Sequence, residues 1–184
     1  MRFLLLVVAG AWALAVLSFH ILESENRVLE NTIKELNEKV IQLEEQNQEL
    51  KLAREKEVAG LHRYFSSKNS PIAPYVSVFF DVRDKYGVSP YLLAAVAMAE
   101  SGGCKRYIKS TNNCLGWGGG SIRFNSVGGG LLEVGRKISS LRSYDRFRRS
   151  GTIRDFAKAY NGPYWQDYEK KISYFLGEIN DQKH

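Results

Sequence analysis

The sequence predicts an all-α protein, α+β at most. Three observations carry this: a long uncharged run near the N-terminus, a leucine repeat of seven residues behind it, and C-terminal apolar stretches at helical spacing bounded by capping residues. With 44% hydrophobic and 25% charged side chains among 184 residues, the composition is globular and leaves room for one compact domain with some extra apparatus. Charge is unevenly distributed. Residues 1–60 carry 7 Lys+Arg against 10 Asp+Glu, and residues 61–184 carry 19 against 10. A basic C-terminal part fits an anionic partner, which charge alone leaves as nucleic acid, a membrane surface or an acidic polymer.

The first element is the run from Phe3 to Leu22, 20 residues without a formal charge. At about 1.5 Å per residue a helix of that length approaches the ~30 Å of a bilayer core. Residues 1–22 are therefore expected to be a transmembrane anchor. The alternative is a cleaved signal peptide, because Ala11-Trp12-Ala13 and Ala13-Leu14-Ala15 resemble small-x-small cleavage sites. Arg2 precedes the run and Glu23 and Glu25 follow it, so the N-terminus is expected in the cytoplasm and the rest outside. If the signal is cleaved, the remainder is secreted.

The second element, residues 23–57, is expected to be a coiled coil. Leu22, Leu29, Leu36, Leu43 and Leu50 recur at d positions, with Asn26, Ile33, Val40 and Asn47 at a. β-Branched residues at a with leucine at d favour a parallel pair, and asparagine at a fixes register. A parallel homodimer through residues 22–50 follows, with Lys39 of one helix near Glu44 of the other. A single amphipathic helix is the alternative. Beyond Leu50 the repeat fails at Arg54 and Glu57, and Ser66-Ser67-Lys68-Asn69-Ser70-Pro71 has turn-forming composition, so residues 58–71 are expected to be a linker.

The third element is a domain over residues 72–184. Val76, Phe79, Phe80 and Val82 give a helix from Pro74 to Tyr86, stopped by Gly87. Ser89 as N-cap and Pro90 at the first helical position start the next one. That helix, Pro90 to Glu100, is apolar nearly all the way round and should be buried. Residues 104–130 read as a loop or short hairpin, and further helices are expected over 130–141, 152–160 and 164–179. The aromatics of the tail, Tyr160, Tyr164, Trp165, Tyr168, Tyr174 and Phe175, are expected mostly in the core.

Glu100 breaks the pattern, being a carboxylate at the end of an apolar helix. Desolvation raises a carboxyl pKa, and an acid still protonated near neutral pH can donate to a glycosidic oxygen. A water-exposed helix-terminal glutamate is the plain alternative, although the helix dipole disfavours an acidic residue there. Cys104 and Cys114 are the only cysteines and flank the loop behind Glu100, so in an oxidising compartment a disulfide is expected rather than a metal site or catalytic thiol. His20, His62 and His184 are scattered, which gives no metal cluster or Cys–His pair. No cofactor is expected.

The run Tyr86 to Gly102, closing on Glu100-Ser101, resembles the catalytic helix of lysozyme-superfamily peptidoglycan hydrolases. Asn112-Asn113-Cys114-Leu115-Gly116-Trp117 resembles the Asn-Asn-x-Phe-Gly block of bacterial glucosaminidases, and Ala159-Tyr160-Asn161-Gly162 looks like the Ala-Tyr-Asn-Ala-Gly block of lytic transglycosylases. The resemblance covers about residues 72–180. It implies a lysozyme-like domain acting on peptidoglycan, with Glu100 as general acid and Ser101, Asn112, Asn113, Trp117, Tyr160 and Asn161 toward the sugar groove. Tyr160 would orient the N-acetyl group or the departing intermediate. The plain alternatives are a turn at Asn112 and Asn113 and core packing for Trp117 and Tyr160.

A two-carboxylate glycosidase needs a second acid near the first. None occurs between Ser101 and Leu132, and Glu133 falls in a later helix. A one-acid route is therefore expected, with the internal nucleophile supplied either by the N-acetyl oxygen or by the muramyl hydroxyl that closes an anhydro ring. A catalytically inactive wall-binding or scaffold module is the second class. A nucleic-acid binder built on Arg142, Arg146, Arg148, Arg149 and Arg154 is the third, and an export signal argues against it.

Overall fold

The computed structural model describes the backbone of residues 2–182 and the side chains of Trp12, Leu14 and residues 16–182. The chain is all-helical, with no strand among the described residues. It divides into two units, residues 1–53 and 54–184.

The first unit consists of the N-terminal part of one helix, α1 (Arg2–Ser67). Among the described residues no helix is long and apolar enough to cross a membrane. The anchor expected over residues 3–22 rests in large part on the side chains of residues 3–11, 13 and 15, which lie outside the described residues. The heptad leucines face solvent in the single chain: Leu29, Leu36 and Leu43 are each more than half exposed. Lys39 pairs with Glu35 of its own helix at 3.0 Å.

The second unit begins inside α1, and here the expected linker is corrected. Residues 58–67 are helical, and Leu61, Tyr64 and Phe65 are buried in the core. Their i, i+3, i+4 spacing makes one apolar face, which outweighs the Gly60 and Ser66-Ser67 signals on either side. Polar contacts reinforce the seating. Arg54 pairs with Asp81 at 2.8 Å and also with Asp84, Arg83 donates to Glu57 at 2.6 Å, and Lys68 pairs with Glu178.

A 3-10 turn (Ala73–Tyr75) leads into α2 (Val76–Tyr86), which ends on Gly87 in the left-handed region at φ 68°. α3 (Pro90–Ser101) has the cap read from the sequence: the Ser89 hydroxyl accepts from the Leu92 amide. It is the central helix, buried from Leu92 through Ala99. α4 (Val127–Ser140) is capped by Ser126, starting three residues before the expected position, and packs on α2. Between α4 and the next expected helix lie two elements the sequence reading missed, a 3-10 turn (Arg142–Tyr144) and α5 (Asp145–Ser150). α6 (Ile153–Asn161) is capped by Thr152, and α7 (Trp165–Asp181) packs against both α6 and α3.

The arginine run is partly consumed by this packing. Arg148 donates to the carbonyls of Ile138 and Leu141, at 2.8 and 2.9 Å, and pairs with Asp145, while Arg146 lies 2.9 Å from Asp155. The tail aromatics are not uniformly core. Tyr168 is buried, whereas Tyr164 and Tyr174 are exposed on outer turns.

Candidate active site

Glu100 reaches its position because α3 is buried along nearly its whole length and ends at the surface, so the last acidic residue emerges from the core into a groove. The residue is solvent-exposed overall, yet the surrounding protein withdraws enough water from the carboxyl to raise its pKa. Desolvation is the leading cause. Tyr168 and Lys171, both from α7, oppose it by favouring the ionised form. Lys171 also donates to the Ala99 carbonyl, one of the groups left unpaired at the end of α3. The Tyr168 hydroxyl is buried and meets no acceptor within strict hydrogen-bond geometry; the Glu100 carboxyl is the group it acts on.

The loop behind α3 closes over this carboxylate. Cys104 and Cys114 are joined, with Cα atoms 4.9 Å apart. Asn113 holds the loop from inside: its amide nitrogen donates to the carbonyls of Trp117 and Ile122 at 2.8 and 3.1 Å, and its oxygen accepts from the Trp117 amide at 2.9 Å. Asn112, at φ 53°, donates to the Phe124 carbonyl at 2.9 Å. These bonds bring Gly116 against the acid. At φ 67° Gly116 has the backbone that side-chain-bearing residues avoid, and a Cβ built there would overlap Glu100 Oε2.

Two cavities meet at Glu100 and Gly116. One, of about 420 Å³, is walled by Trp117, Tyr144, Tyr160 and Asn161. Its aromatics form a connected set: Trp117 stands edge-on to Tyr160 at 5.6 Å, and Tyr160 stacks on Tyr168 at 5.5 Å. The other, of about 310 Å³, is walled by Arg106, Tyr107, Ile108 and Gly120. Glu100 is the single carboxylate among the residues lining either cavity. Glu133 is held elsewhere by Arg136 at 2.8 Å, which keeps its carboxyl below the usual range.

The structure brings Glu100, Trp117, Tyr160 and Asn161 together in one cavity, places Ser101 and Asn113 in the wall of the other, and leaves Asn112 outside both. Ser101 is only 2% exposed, and its hydroxyl donates to the Ala97 carbonyl and accepts from the Cys104 amide. Asn113 is equally buried and has both amide atoms engaged by the loop; both residues border the second cavity with their side-chain polar atoms bonded within the protein. Asn112 borders a further small pocket with Phe124 and Leu131, one that Glu100 does not line. Tyr160 also changes role, since its hydroxyl proton goes to the Leu115 carbonyl and leaves the ring as its contribution to the wall. Burial pushes that hydroxyl's pKa well up.

Tyr144, Tyr168, Lys171 and Arg106 were not singled out as site residues by the sequence reading. Tyr168 lies eight positions after Tyr160 and was grouped with the core aromatics. Tyr144 sits within the arginine run, where charge dominates the pattern. Among the described residues no group of three His, Cys, Asp or Glu side chains is placed to hold a metal ion. No family model, curated protein or solved structure matches this chain.

Proposed function

We propose that the unit over residues 54–184 is a peptidoglycan glycosidase of lysozyme-like fold that cuts β-1,4 bonds of the glycan strands with Glu100 as its general acid. The observation that carries the reading is the setting of Glu100: a carboxyl made more basic by desolvation, alone among carboxylates at the junction of two cavities. A strand lying through both would present a glycosidic oxygen to it.

Glu100 in its protonated form gives its proton to that oxygen as the bond to the anomeric carbon breaks. The positive charge developing on the sugar is met by the substrate's own nucleophile, since no second enzyme carboxylate lines the groove. One route uses the N-acetyl oxygen, followed by water; the other uses the muramyl hydroxyl, whose proton returns to the Glu100 carboxylate as the anhydro ring closes. Trp117, Tyr144 and Tyr160 supply apolar faces against which a sugar ring stacks. In the same reading residues 3–22 anchor the chain, residues 22–50 pair two copies in parallel, and the C-terminal unit faces the wall.

Glu100→Gln keeps the size of the side chain and cannot donate a comparable proton. Its muropeptide release should fall roughly 10²–10⁴-fold with the circular dichroism spectrum and melting unchanged. Glu133→Gln should leave the rate alone. In the wild type, activity needs the protonated acid, so it declines as pH rises through the elevated Glu100 pKa, and this limb is lost in Glu100→Gln. A wild-type rate in Glu100→Gln sinks the assignment. A wild-type protein that binds wall and releases no muropeptide makes the unit a binding or scaffold module.

A further inference from the structure

We propose that the cavity walled by Arg106 is an anion subsite that recognises a carboxylate carried by the muramyl residue of the strand. The proposal rests on the glycosidase reading for its substrate and on the cavity's own chemistry for its ligand class.

The two cavities that meet at Glu100 differ in kind. The one bounded by Trp117, Tyr144 and Tyr160 is aromatic. The other has only two charged side chains in its wall, Glu100 and Arg106. Three further polar residues border it, Ser101, Tyr107 and Asn113, and two of them are committed: the Ser101 hydroxyl to the Ala97 carbonyl and the Cys104 amide, and the Asn113 amide to the loop. Arg106 makes no side-chain hydrogen bond or ion pair among the described residues, in contrast to Arg83, Arg136 and Arg148. Its backbone is nevertheless fixed. The Arg106 amide donates to the Ser101 carbonyl at 2.9 Å, and the disulfide at Cys104 holds the chain two residues earlier. The guanidinium lies above Gly102, where a Cβ would come 3.9 Å from Nη2.

A fixed backbone, an uncommitted planar cation and an apolar neighbour in Ile108, 58% exposed, describe a site for a carboxylate on a short apolar stem. Muramyl sugars differ from N-acetylglucosamine by such a group, the 3-O-lactyl ether. Its carboxylate is free in peptide-stripped strands, whereas in intact wall the nearest carboxylates belong to the stem peptide. Either source offers the same chemistry to Arg106. Because the other cavity has no cation in its wall, the subsite also gives the bound strand a direction.

The test uses the full chain in a Glu100→Gln background, so that binding is measured without turnover, and compares it with Glu100→Gln/Arg106→Ala and Glu100→Gln/Arg106→Lys. The ligands are peptide-bearing strands, peptide-stripped strands, and chitooligosaccharides of the same β-1,4 backbone without a lactyl group. Arg106→Ala should weaken binding of the carboxylate-bearing strands by about tenfold, as expected for a lost charge-assisted contact at an exposed site, and leave chitooligosaccharide binding unchanged. Arg106→Lys should restore part of the difference. Tighter binding of stripped strands assigns the lactyl carboxylate, and tighter binding of peptide-bearing strands assigns the stem peptide. An equal loss on all three ligands, or none on any, overturns the subsite. Cleavage by the otherwise wild-type chain is followed in parallel. Arg106-dependent binding without any cleavage would end the glycosidase reading and keep the subsite, while cleavage with Arg106-independent binding would do the reverse.

Discussion

Gly116→Ala separates two effects that most glycine substitutions confound. At φ 67° an alanine is placed in the left-handed region, which costs roughly 1–2 kcal/mol for a residue with a Cβ. The same methyl would also overlap the Glu100 carboxyl, so the acid has to move. Gly87 supplies the control, because its φ is 68° and a Cβ there meets nothing within 4 Å. Gly87→Ala and Gly116→Ala should therefore share a strain penalty that lowers Tm by a few degrees, about 3–8 °C for a domain of this size. Only Gly116→Ala should also lose catalysis. A displacement of about 1 Å in a reacting group can lower the rate on the order of 10²-fold. Thermal melts and muropeptide release, measured side by side on the full chain, read both effects. Equal Tm and equal turnover in the two variants would refute the claim that Gly116 makes room for the acid.

Two further outcomes follow from the fold. A chain starting at residue 72 lacks Leu61, Tyr64 and Phe65, which are at most 2% exposed. Removing large buried side chains costs about 2–5 kcal/mol each, so the sum rivals the roughly 5–15 kcal/mol that holds a domain together. Residues 72–184 should give no cooperative melt where residues 54–184 do, and matching melts would show that the α1 segment is dispensable. The exposed seam at Leu29, Leu36 and Leu43 should pair in a second copy, so sedimentation of the full chain in detergent should give a dimer that Leu36→Asp disrupts. A monomer at micromolar concentration would rule that pairing out.

What the sequence made legible was local. Ser89-Pro90 marked the start of α3 because cap chemistry acts within one turn, and the all-apolar run marked its burial. The 58–71 segment was misread because the composition of Ser66–Pro71 dominated, although Leu61, Tyr64 and Phe65 already stood at helical spacing; which face would be covered depends on helices far along the chain. Asn112 and Asn113 were visible as a motif, but their partners at Phe124 and Ile122 become neighbours only once the loop has folded. Lys171 is a more distant case. It meets Ala99 across 72 positions, and no pattern around either residue announces the contact.

The bracing of that loop has a thermodynamic consequence for any ligand. Residues 104–124 contain four glycines, and a chain of that composition would ordinarily lose much conformational freedom on clamping a substrate. Here the cross-link and the three bonds of Asn113 remove that freedom when the unit folds. A strand entering the groove meets a wall already in its bound shape, so the entropy of ordering the loop is charged to folding and not to recognition.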